Sequence, residues 1–349
     1  MSQNGEPTPQ PRWWQISPQF ARSRGLFFIA AAMVGLLGGL IGSEFVWWLE
    51  LPLHFVPQLL VVMLVGLVGT VWGCIAAGRV SRREVVALAV AVLATGYLVA
   101  AVVRWLPAQR ELIPPANPDA TSRVATTRIL SLNVYTKNLE HDKVLEFIRQ
   151  QDPDIVFLME VNSEWLEALG PLDQIYPYHH SHPDEAGNFG VGIWTRLPVT
   201  SCTLVGLGSI MRQVDVVLEV EGQPIRFLGV HPLPPSSTVY ARERNKVYQG
   251  IVELLASEPE LPAIVAGDFN STRFAPHFLS MCREARLYDA GHGQMLGRSW
   301  PAGGFHFILG MRIDHVLIGA GWRVLDWHIG PDVGSDHYPV VADLELLKR

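Results

Sequence analysis

The stretch Leu261-Pro-Ala-Ile-Val-Ala-Gly-Asp-Phe-Asn270 decides how the second half of this chain folds. Its mostly apolar residues 263–267 are typical of a buried β-strand that leads into Asp268 and Asn270. Because side chains alternate across a strand, positions 268 and 270 fall on the same side. A buried carboxylate beside an amide destabilises a fold unless both are bonded, so this strand end could hold a water molecule and a metal-bound phosphate. The alternative is an ordinary turn, since Gly, Asp and Asn all favour turns.

Composition limits the classes of protein to which this chain can belong. The chain has 349 residues, which is enough for one large domain and a further segment. Only 17% of the residues are charged, against about a quarter in ordinary soluble domains. Residues 121–349 carry 19 Lys and Arg against 27 Asp and Glu, a net charge of −8. Such a domain has no overall attraction for a polyanion, which disfavours non-specific nucleic-acid binding. Cys202 and Cys282 are expected to be buried free thiols, with a disulfide between them as the alternative.

The excess of apolar residues lies in three runs, Leu26–Phe45, Leu59–Ala77 and Val85–Val103. Each is near the roughly 20 residues that a membrane-spanning helix needs. A signal peptide would explain the first run but not the next two, and buried soluble helices are the alternative. No ionisable residue lies deep in a run, which argues against transport. Glycine pairs spaced four residues apart predict close helix packing, at positions 35 and 39, 38 and 42, and 69 and 73.

Basic residues predict the orientation of these runs. Arg12, Arg22 and Arg24 precede the first run, the link 46–58 has no Lys or Arg, and Arg79, Arg82 and Arg83 fill the second link. By the positive-inside rule, the N-terminus and the second link are cytoplasmic, so the chain after Arg104 lies outside the cytoplasm. The predicted organisation is a cytoplasmic tail over 1–24, three transmembrane helices over 25–105, a stiff Pro-rich linker over 106–120 and a domain over 121–349.

Short strands alternate with helices in the predicted outer domain. Strands are predicted over 128–133, 154–160, 189–195, 213–220, 224–231, 263–268, 312–318 and 340–346, and helices over 141–151, 164–169, 237–255 and 275–284. Residues 176–188 are predicted as a polar loop whose His179, His180 and His182 are surface or substrate-contacting groups rather than metal ligands. Basic residues at 242, 244 and 246 are predicted to form a solvated helix face. This pattern fits a two-sheet α/β sandwich.

Polar residues recur where the apolar strands of this domain begin or end. They are Asn133, Glu160, His231, Asp268, Asn270, Asp314, Asp336 and His337. Their origin in six separate segments indicates a site assembled by the fold. Carboxylates with few His and no Cys favour Mg²⁺ or Mn²⁺ over zinc, and a His paired with an Asp suits a proton carrier or a cationic phosphate partner. No activated Ser, Cys or Thr is evident, so water is the expected attacking group.

As an ordered set, these motifs resemble the endonuclease/exonuclease/phosphatase superfamily with the DNase-I-like fold. The matching stretches are Ser131–Val134, Leu158–Glu160, Phe189–Ile193 with Arg196–Pro198, Val230–His231, Gly267–Asn270, Arg312–Val316 and Ser335–Pro339. The resemblance covers residues 121–349. It implies an α/β, four-layer DNase-I-like β-sandwich flanked by helices, here preceded by an all-α three-helix transmembrane region.

The resemblance also implies a role for each site residue. Glu160 would be the principal metal ligand, with Asn133 and Asp336 in support. Asp268 would orient or deprotonate the attacking water beside Asn270, His337 would contact the phosphate while Asp314 holds it, and His231 would bind a phosphoryl oxygen or assist the leaving group. Asn188 and Arg196 would contact the substrate. Whether Asp268 or His337 is the base stays open, and Tyr135 and Asn188 replace an Asp and a Tyr of some nucleases in the family.

Three functions are compatible with these residues. The first is a membrane-anchored, Mg²⁺-dependent phosphoesterase or pyrophosphatase acting on a lipid-linked substrate, because a tether keeps the enzyme close to membrane substrates. Bacterial members of the superfamily with three N-terminal helices and an outward-facing domain look similar. The second is an extracytoplasmic nuclease, which the acidic domain disfavours. The third is a non-catalytic binding or signalling module, which predicts lost site residues, and the core set is complete.

Overall fold

The computed structural model describes residues 17–43, 45–103, 126–294, 297–304 and 306–347. The chain divides into two compact units, one of residues 1–37 and 57–100 and the other of residues 38–56 and 101–349. The predicted linker and most of the predicted cytoplasmic tail lie outside the described residues. The predicted domain boundaries therefore stay predictions.

The first unit is helical and apolar. It contains the greater part of three helices, α1 (Pro18–Gly42), α2 (Val56–Ala77) and α3 (Arg82–Val103). In the described part of the chain, all three predicted runs form helices long and apolar enough to cross a membrane. Large apolar side chains such as Ile75 and Leu93 are 74% and 75% exposed, as suits contact with lipid. A Cβ at Gly73 would lie 2.4 Å from Arg22 Cγ, so this glycine allows the close helix packing that its spacing predicted.

The second unit contains two mixed β-sheets. Its strands in chain order are β1 (Thr126–Asn133), β2 (Ile155–Met159), β3 (Tyr178–His182), β4 (Val191–Thr195), β5 (Val199–Val205), β6 (Gln213–Val220), β7 (Gln223–Val230), β8 (Ala263–Asp268), β9 (Tyr288–Asp289), β10 (Asp314–Ile318), β11 (Trp322–Ile329) and β12 (Val340–Leu346). One sheet has the order β11-β12-β1-β2-β4-β3, and the other has the order β5-β6-β7-β8-β10-β9. The helices are α4 (His141–Gln151), α5 (Ser163–Leu169), α6 (Thr238–Ser257), α7 (Pro276–Glu284) and α8 (His306–Leu309).

Alternation along the strands builds a four-layer sandwich. In β2, Phe157 joins the apolar core between the two sheets, whereas Leu158 packs on the other face with Trp165 of α5. In β8, Ile264 joins the same inter-sheet core, whereas Val265 packs on the layer of α6 and α7. The order of layers is therefore helices, sheet, sheet, helices. This confirms the predicted DNase-I-like architecture.

Strand direction gathers the polar strand ends at one edge of the sandwich. In each sheet the central pair is parallel, β1 with β2 and β7 with β8. Parallel neighbours end at the same edge, so β1 and β2 deliver Asn133 and Glu160 together, and β7 and β8 deliver His231 and Asp268 together. Antiparallel β10 begins at that edge, where Asp314 pairs with Asp268.

The prediction of a loop over 176–188 is partly wrong. Residues 178–182 form β3, an edge strand that pairs with β4. A polar, exposed edge strand lacks the apolar alternation on which the prediction depended. Strands β5 and β11 were missed for a similar reason, since many of their side chains are only partly buried. Cys202 and Cys282 are free thiols, as predicted, but only Cys282 is buried and Cys202 is partly exposed.

The prediction of a solvated face on α6 is wrong for Arg244. Arg242 and Lys246 are exposed, but Arg244 is fully buried and donates to Glu50 Oε2 at 2.7 Å. Glu50 lies in the stretch of residues 47–55 between α1 and α2, here called the 47–55 segment. This segment forms two 3-10 turns, Trp47–Leu49 and Leu51–Phe55.

Two predicted packing glycines of α1 also contact this segment. A Cβ at Gly39 would lie 2.4 Å from Leu53 Cγ, and a Cβ at Gly42 would lie 2.2 Å from Leu49 Cδ1. The glycine spacing therefore signals close packing, but at these positions the partner is the 47–55 segment rather than another helix.

Candidate active site

The ends of β1 and β2 hold Asn133 and Glu160 against each other. Asn133 Nδ2 donates to Glu160 Oε1 at 3.0 Å, and the backbone N–H of Thr136 donates to Glu160 Oε2 at 3.3 Å. Glu160 and Tyr135 have φ values of 62° and 58°. Left-handed backbone at residues other than glycine is strained and is concentrated at functional sites.

Asp268 is fixed by the turn that follows β8. The backbone N–H of Asn270 donates to Asp268 Oδ1 at 2.8 Å, and Asn270 Nδ2 donates to the carbonyl of Pro232 at 2.9 Å. Gly267 has a φ of 146°, and a Cβ there would lie 1.9 Å from the carbonyl oxygen of Val230. Only glycine lets the ends of β7 and β8 approach this closely.

His337 and Asp314 form a buried pair. His337 Nδ1 bonds Asp314 Oδ2 at 2.9 Å, so Nε2 is the ring nitrogen directed away from Asp314. Ser335 Oγ accepts from the backbone N–H of His337 at 3.0 Å and donates to the carbonyl of Asn133 at 2.7 Å. This hydroxyl joins the turn before β12 to the end of β1, and thus fixes His337 relative to the metal-ligand candidates.

Asp268 lies between two histidines. Its Oδ2 is 3.7 Å from Nε2 of His231 and 3.7 Å from Nε2 of His337, which is too long for a direct hydrogen bond. Among the described residues, His231 Nδ1 and Asp314 Oδ1 are buried without a hydrogen-bond partner. Buried polar atoms are usually satisfied, so unsatisfied atoms here indicate a site that binds polar groups from outside the chain.

Burial and neighbouring charges shift the protonation of these groups. Burial, with the charge of Asp314, raises the pKa of Asp268. Burial opposes the charge on His337, but Asp314 and Asp268 outweigh it and raise the pKa of that imidazole well above its usual range. Burial, with a smaller contribution from the nearby charge of His337, lowers the pKa of His231 to about 3. Without a cation, therefore, the site favours a neutral His231 and a protonated His337.

The residues present fit a hard divalent cation. Burial raises the pKa of Glu160, and the negative charge of Asp336 raises it further, so a cation would relieve both effects. Asp336 Oδ1 is a buried oxygen without a partner in the described part of the chain. Oxygen atoms of two carboxylates and the Asn133 amide suit Mg²⁺ or Mn²⁺ better than a soft metal. Ligand atoms of Asp268, Asp314 and His337 also lie within 4.8 Å of one another, although the His337–Asp314 hydrogen bond accounts for part of that closeness.

A cavity of 460 Å³ opens over these groups. Its polar part includes Glu160, His231, Asp268, Asn270, Asp336 and His337. Asn188 also lines the cavity, so the structure brings this predicted substrate contact to the site. Asn133 and Asp314 lie directly behind, bonded to Glu160 and His337.

Arg196, the other predicted substrate contact, is not brought to the site. It follows the end of β4 that is opposite the cavity, since β4 runs antiparallel to β2. There it pairs with Asp152 and lies 5.1 Å above the ring of Tyr176. Arg196 therefore lies at the end of the sheet that is far from the cavity.

Sequence reasoning missed the apolar part of the cavity. Leu51 and Phe55 of the 47–55 segment line it, together with Phe189, Trp300 and Met311. The available signal was the unusually apolar link between the first two runs, which on its own resembles ordinary interfacial anchoring of membrane helices.

The comparisons with known proteins agree with this geometry. The model of the family described as "Endonuclease/Exonuclease/phosphatase family" matches residues 130–337, and no curated protein sequence matches the chain. An endonuclease/exonuclease/phosphatase from Beutenbergia cavernae is similar in structure at 20% identity and a TM-score of 0.53, over 64% of this chain and 72% of that one.

Two further solved structures share the fold. D. rerio TDP2, complexed with a single-strand DNA product, is 16% identical with a TM-score of 0.52, over 63% of this chain and 98% of that one. The human Nocturnin catalytic domain, with a bound sulfate anion, is 18% identical with a TM-score of 0.53, over 63% of this chain and 94% of that one. At these identities the likeness shows the fold alone.

The family match spans more than half of the chain and includes every strand end that contributes to the cavity. This protein belongs to the endonuclease/exonuclease/phosphatase family and is a hydrolase of phosphoester bonds.

Proposed function

We propose that this protein is a membrane-anchored, divalent-metal-dependent phosphoesterase that hydrolyses a phosphate ester or pyrophosphate of a lipid-linked substrate outside the cytoplasm. The observation that carries the proposal is the cavity itself. Carboxylates and histidines suited to phosphate chemistry form one part of it, and Leu, Phe, Trp and Met side chains form the other. A substrate with a phosphate and an apolar body matches both parts.

Glu160, Asn133 and Asp336 would hold Mg²⁺ or Mn²⁺, which would supply positive charge to the phosphoryl oxygens. His337, kept protonated by Asp314 and Asp268, contacts a phosphoryl oxygen through Nε2. Because His337 already holds its proton, Asp268 is the group that accepts a proton from water. A carboxylate whose pKa is raised is a better base than an ordinary one.

The hydrolysis then follows in one displacement. The oxygen of water forms a bond to phosphorus, the bond between phosphorus and the leaving oxygen breaks, and Asp268 takes the proton of water. The leaving oxygen takes a proton from solvent. Neutral His231 hydrogen-bonds a phosphoryl oxygen, because its imidazole is buried 3.7 Å from Asp268 and lacks a partner at Nδ1.

The charge of the cavity disfavours a nucleic-acid substrate. Within the described part of the chain, the residues that line it include neither Lys nor Arg. Proteins that bind single strands combine stacking groups with a basic groove that follows the phosphates. The aromatic groups are present here but the basic groove is not, so a polyanion would gain little beyond the reacting phosphate.

The proposed location depends on the helices and on one contact. Arg22 and Arg24 near the start of α1 and Arg79, Arg82 and Arg83 between α2 and α3 favour the cytoplasmic side. The contact between Glu50 and Arg244 requires the 47–55 segment and the domain to be on the same side of the membrane. Two proposed crossings, α2 and α3, separate them along the chain, which agrees with that requirement and supports a domain outside the cytoplasm.

Turnover by the full chain in detergent micelles tests the proposal. The full chain is used because residues 38–56 belong to the same compact unit as the domain. Dodecyl diphosphate, phosphatidic acid and single-stranded DNA are offered with Mg²⁺ or Mn²⁺, and released orthophosphate is scored against diester cleavage. We expect orthophosphate from a lipid phosphate and little cleavage of DNA.

Matched variants test the site. Glu160→Gln and His337→Gln should each lower turnover by about 10²-fold or more, as loss of a group that stabilises developing charge does. His328→Gln, at a histidine of β11 that is 41% exposed in its side chain, should retain wild-type turnover. DNA cleavage that exceeds lipid turnover would instead support the nuclease, and an absence of turnover on all three substrates would refute the phosphoesterase.

A further inference from the structure

The 47–55 segment contributes directly to the candidate active site although the family match begins at residue 130. Leu51, His54 and Phe55 line the same cavity as Glu160 and His337. The side chains of Leu51 and Phe55 are only partly buried, so apolar surface is available inside the cavity. This surface belongs to the chain's own addition to the family fold.

Charge and hydrogen bonds hold the segment in place at two points. Glu50 is 1% exposed and accepts from fully buried Arg244 of α6 at 2.7 Å. The backbone N–H of Thr272 donates to His54 Nδ1 at 3.2 Å. Thr272 is two residues beyond Asn270, so the segment is bonded to the same turn that positions Asp268.

The segment also packs against the end of α1. Leu53 is 1% exposed and lies against Gly39. Glu50, Leu53 and His54 are buried, whereas Leu51 and Phe55 stay partly exposed and line the cavity. The segment is therefore a positioned part of the cavity wall rather than a loose connection.

Given the proposed function, we propose that Leu51 and Phe55 form a specificity wall that receives the first carbons of the substrate's apolar chain, while its phosphate lies at Glu160 and His337. Phe55 immediately precedes Val56, the first residue of α2, so chain connectivity alone puts the wall one residue from a membrane-spanning helix.

The wall would serve no purpose for a compact polar substrate. The apolar contribution to binding grows by about fourfold in affinity for each methylene that is removed from water. A substrate that carries only a phosphate and a small polar group would leave Leu51 and Phe55 uncovered. The proposal therefore predicts a dependence on chain length that a purely structural role of the segment does not predict.

A chain-length series on the full protein in detergent micelles tests the wall. Methyl, hexyl and dodecyl diphosphate share one reacting group and differ only in the chain. For the wild type we expect kcat/KM to rise from methyl to hexyl by about fourfold per contacted methylene, mainly through KM. Phe55→Ser and Leu51→Ser should each lower the hexyl-to-methyl ratio of kcat/KM by about tenfold.

Two control variants test whether the change in the ratio comes from the wall. Phe55→Leu restores apolar contact and should restore most of the ratio, whereas Leu325→Ser, at a half-exposed leucine of β11, should leave the ratio at its wild-type value. The ratio is measured on one sample, so it does not depend on how much of a variant is folded.

The possible outcomes separate the wall from the function on which it rests. If the wild type releases no phosphate from any member of the series, the proposed phosphoesterase function fails. If the wild type is active but its ratio is near one, or if both serine variants keep the wild-type ratio, the phosphoesterase stands and the specificity wall is refuted.

Discussion

Replacing Glu50 tests whether the buried ion pair with Arg244 holds the 47–55 segment on the domain. The two groups meet at 2.7 Å with side chains 1% and 0% exposed. Arg244 also donates to Asn245 Oδ1 at 2.9 Å, so it keeps one partner after Glu50→Gln. Among the described residues, Glu50 is the only carboxylate that bonds Arg244. Glu50→Gln therefore leaves the buried guanidinium without a negative partner.

The size of the effect follows from this burial. Breaking a buried ion pair on one side costs about 3–5 kcal/mol, and the lower end applies here because a Gln side chain can still accept one hydrogen bond. For a domain of this size, 1 kcal/mol corresponds to about 2–4 °C in Tm. Glu50→Gln should therefore lower the Tm of the unit that contains the domain by roughly 6–12 °C.

Thermal unfolding of the full chain in micelles, followed by near-ultraviolet circular dichroism, measures this shift. The double variant Glu50→Met with Arg244→Met should recover most of the loss, because an apolar pair of similar size can replace a buried ion pair at little cost. The single variants Glu50→Met and Arg244→Met complete a double-mutant cycle, and its coupling energy should be about 2 kcal/mol or more in magnitude.

An exposed ion pair provides the control. Lys143 pairs with Glu140, and both side chains are more than half exposed. Lys143→Gln should change the free energy of unfolding by less than about 1 kcal/mol. If Glu50→Gln shifts Tm no more than this control does, or if the two single effects add without coupling, the 47–55 segment is not held by charge and our account of its attachment is wrong.

Three further predictions concern the site itself. A chelator should lower Tm by an amount that corresponds to about 2–3 kcal/mol of bound-metal stabilisation at a hundredfold excess over Kd, and Glu160→Gln should remove that response to Mg²⁺ in a thermal scan. Gly267→Ala forces a Cβ to 1.9 Å from a carbonyl oxygen. It should lower the free energy of unfolding by about 1–3 kcal/mol in a denaturant titration and greatly reduce turnover. Gly170→Ala is the control, because a Cβ there meets nothing within 4 Å, and it should change neither quantity. The folded pKa of His337 lies above its unfolded value, so the stability that its protonation gives the fold is complete below about pH 6.5 and is lost as pH rises through the folded pKa. In metal-free buffer, Asp314→Asn should flatten this alkaline decline in the free energy of unfolding, measured by urea titrations from neutral to alkaline pH. An unchanged profile would contradict the assignment.

The sequence predicted the central elements well because their signals are local. Helix His141–Gln151 and the hairpin of β6 and β7 have the predicted bounds to within one or two residues. Periodicity and turn residues act over a few neighbours. Edge strands β3 and β11 were missed because partly exposed strands need no apolar alternation, and their hydrogen bonds come from partners far along the chain.

The sequence predicted most of the polar residues that the structure brings to the candidate site, but it did not predict where that site ends. Asp268 and His337 were found because polar residues at the ends of apolar strands are conspicuous, and the parallel pairs then bring such ends to one edge. Arg196 belongs to the same motif as Asn188, yet the direction of β4 carries it to the opposite edge. Sequence spacing does not contain strand direction, so only the sheet topology separates these two residues.

The sequence by itself determined the apolar helices, the alternating strands and the polar groups that suit a divalent metal and a phosphate. Each of these depends on residue type and spacing alone. The tertiary structure decided which groups share one cavity, that Arg244 is buried against Glu50, and that Leu51 and Phe55 complete the wall. The physical reason is that burial and charge pairing depend on contacts between residues nearly two hundred positions apart, and local sequence carries no record of them.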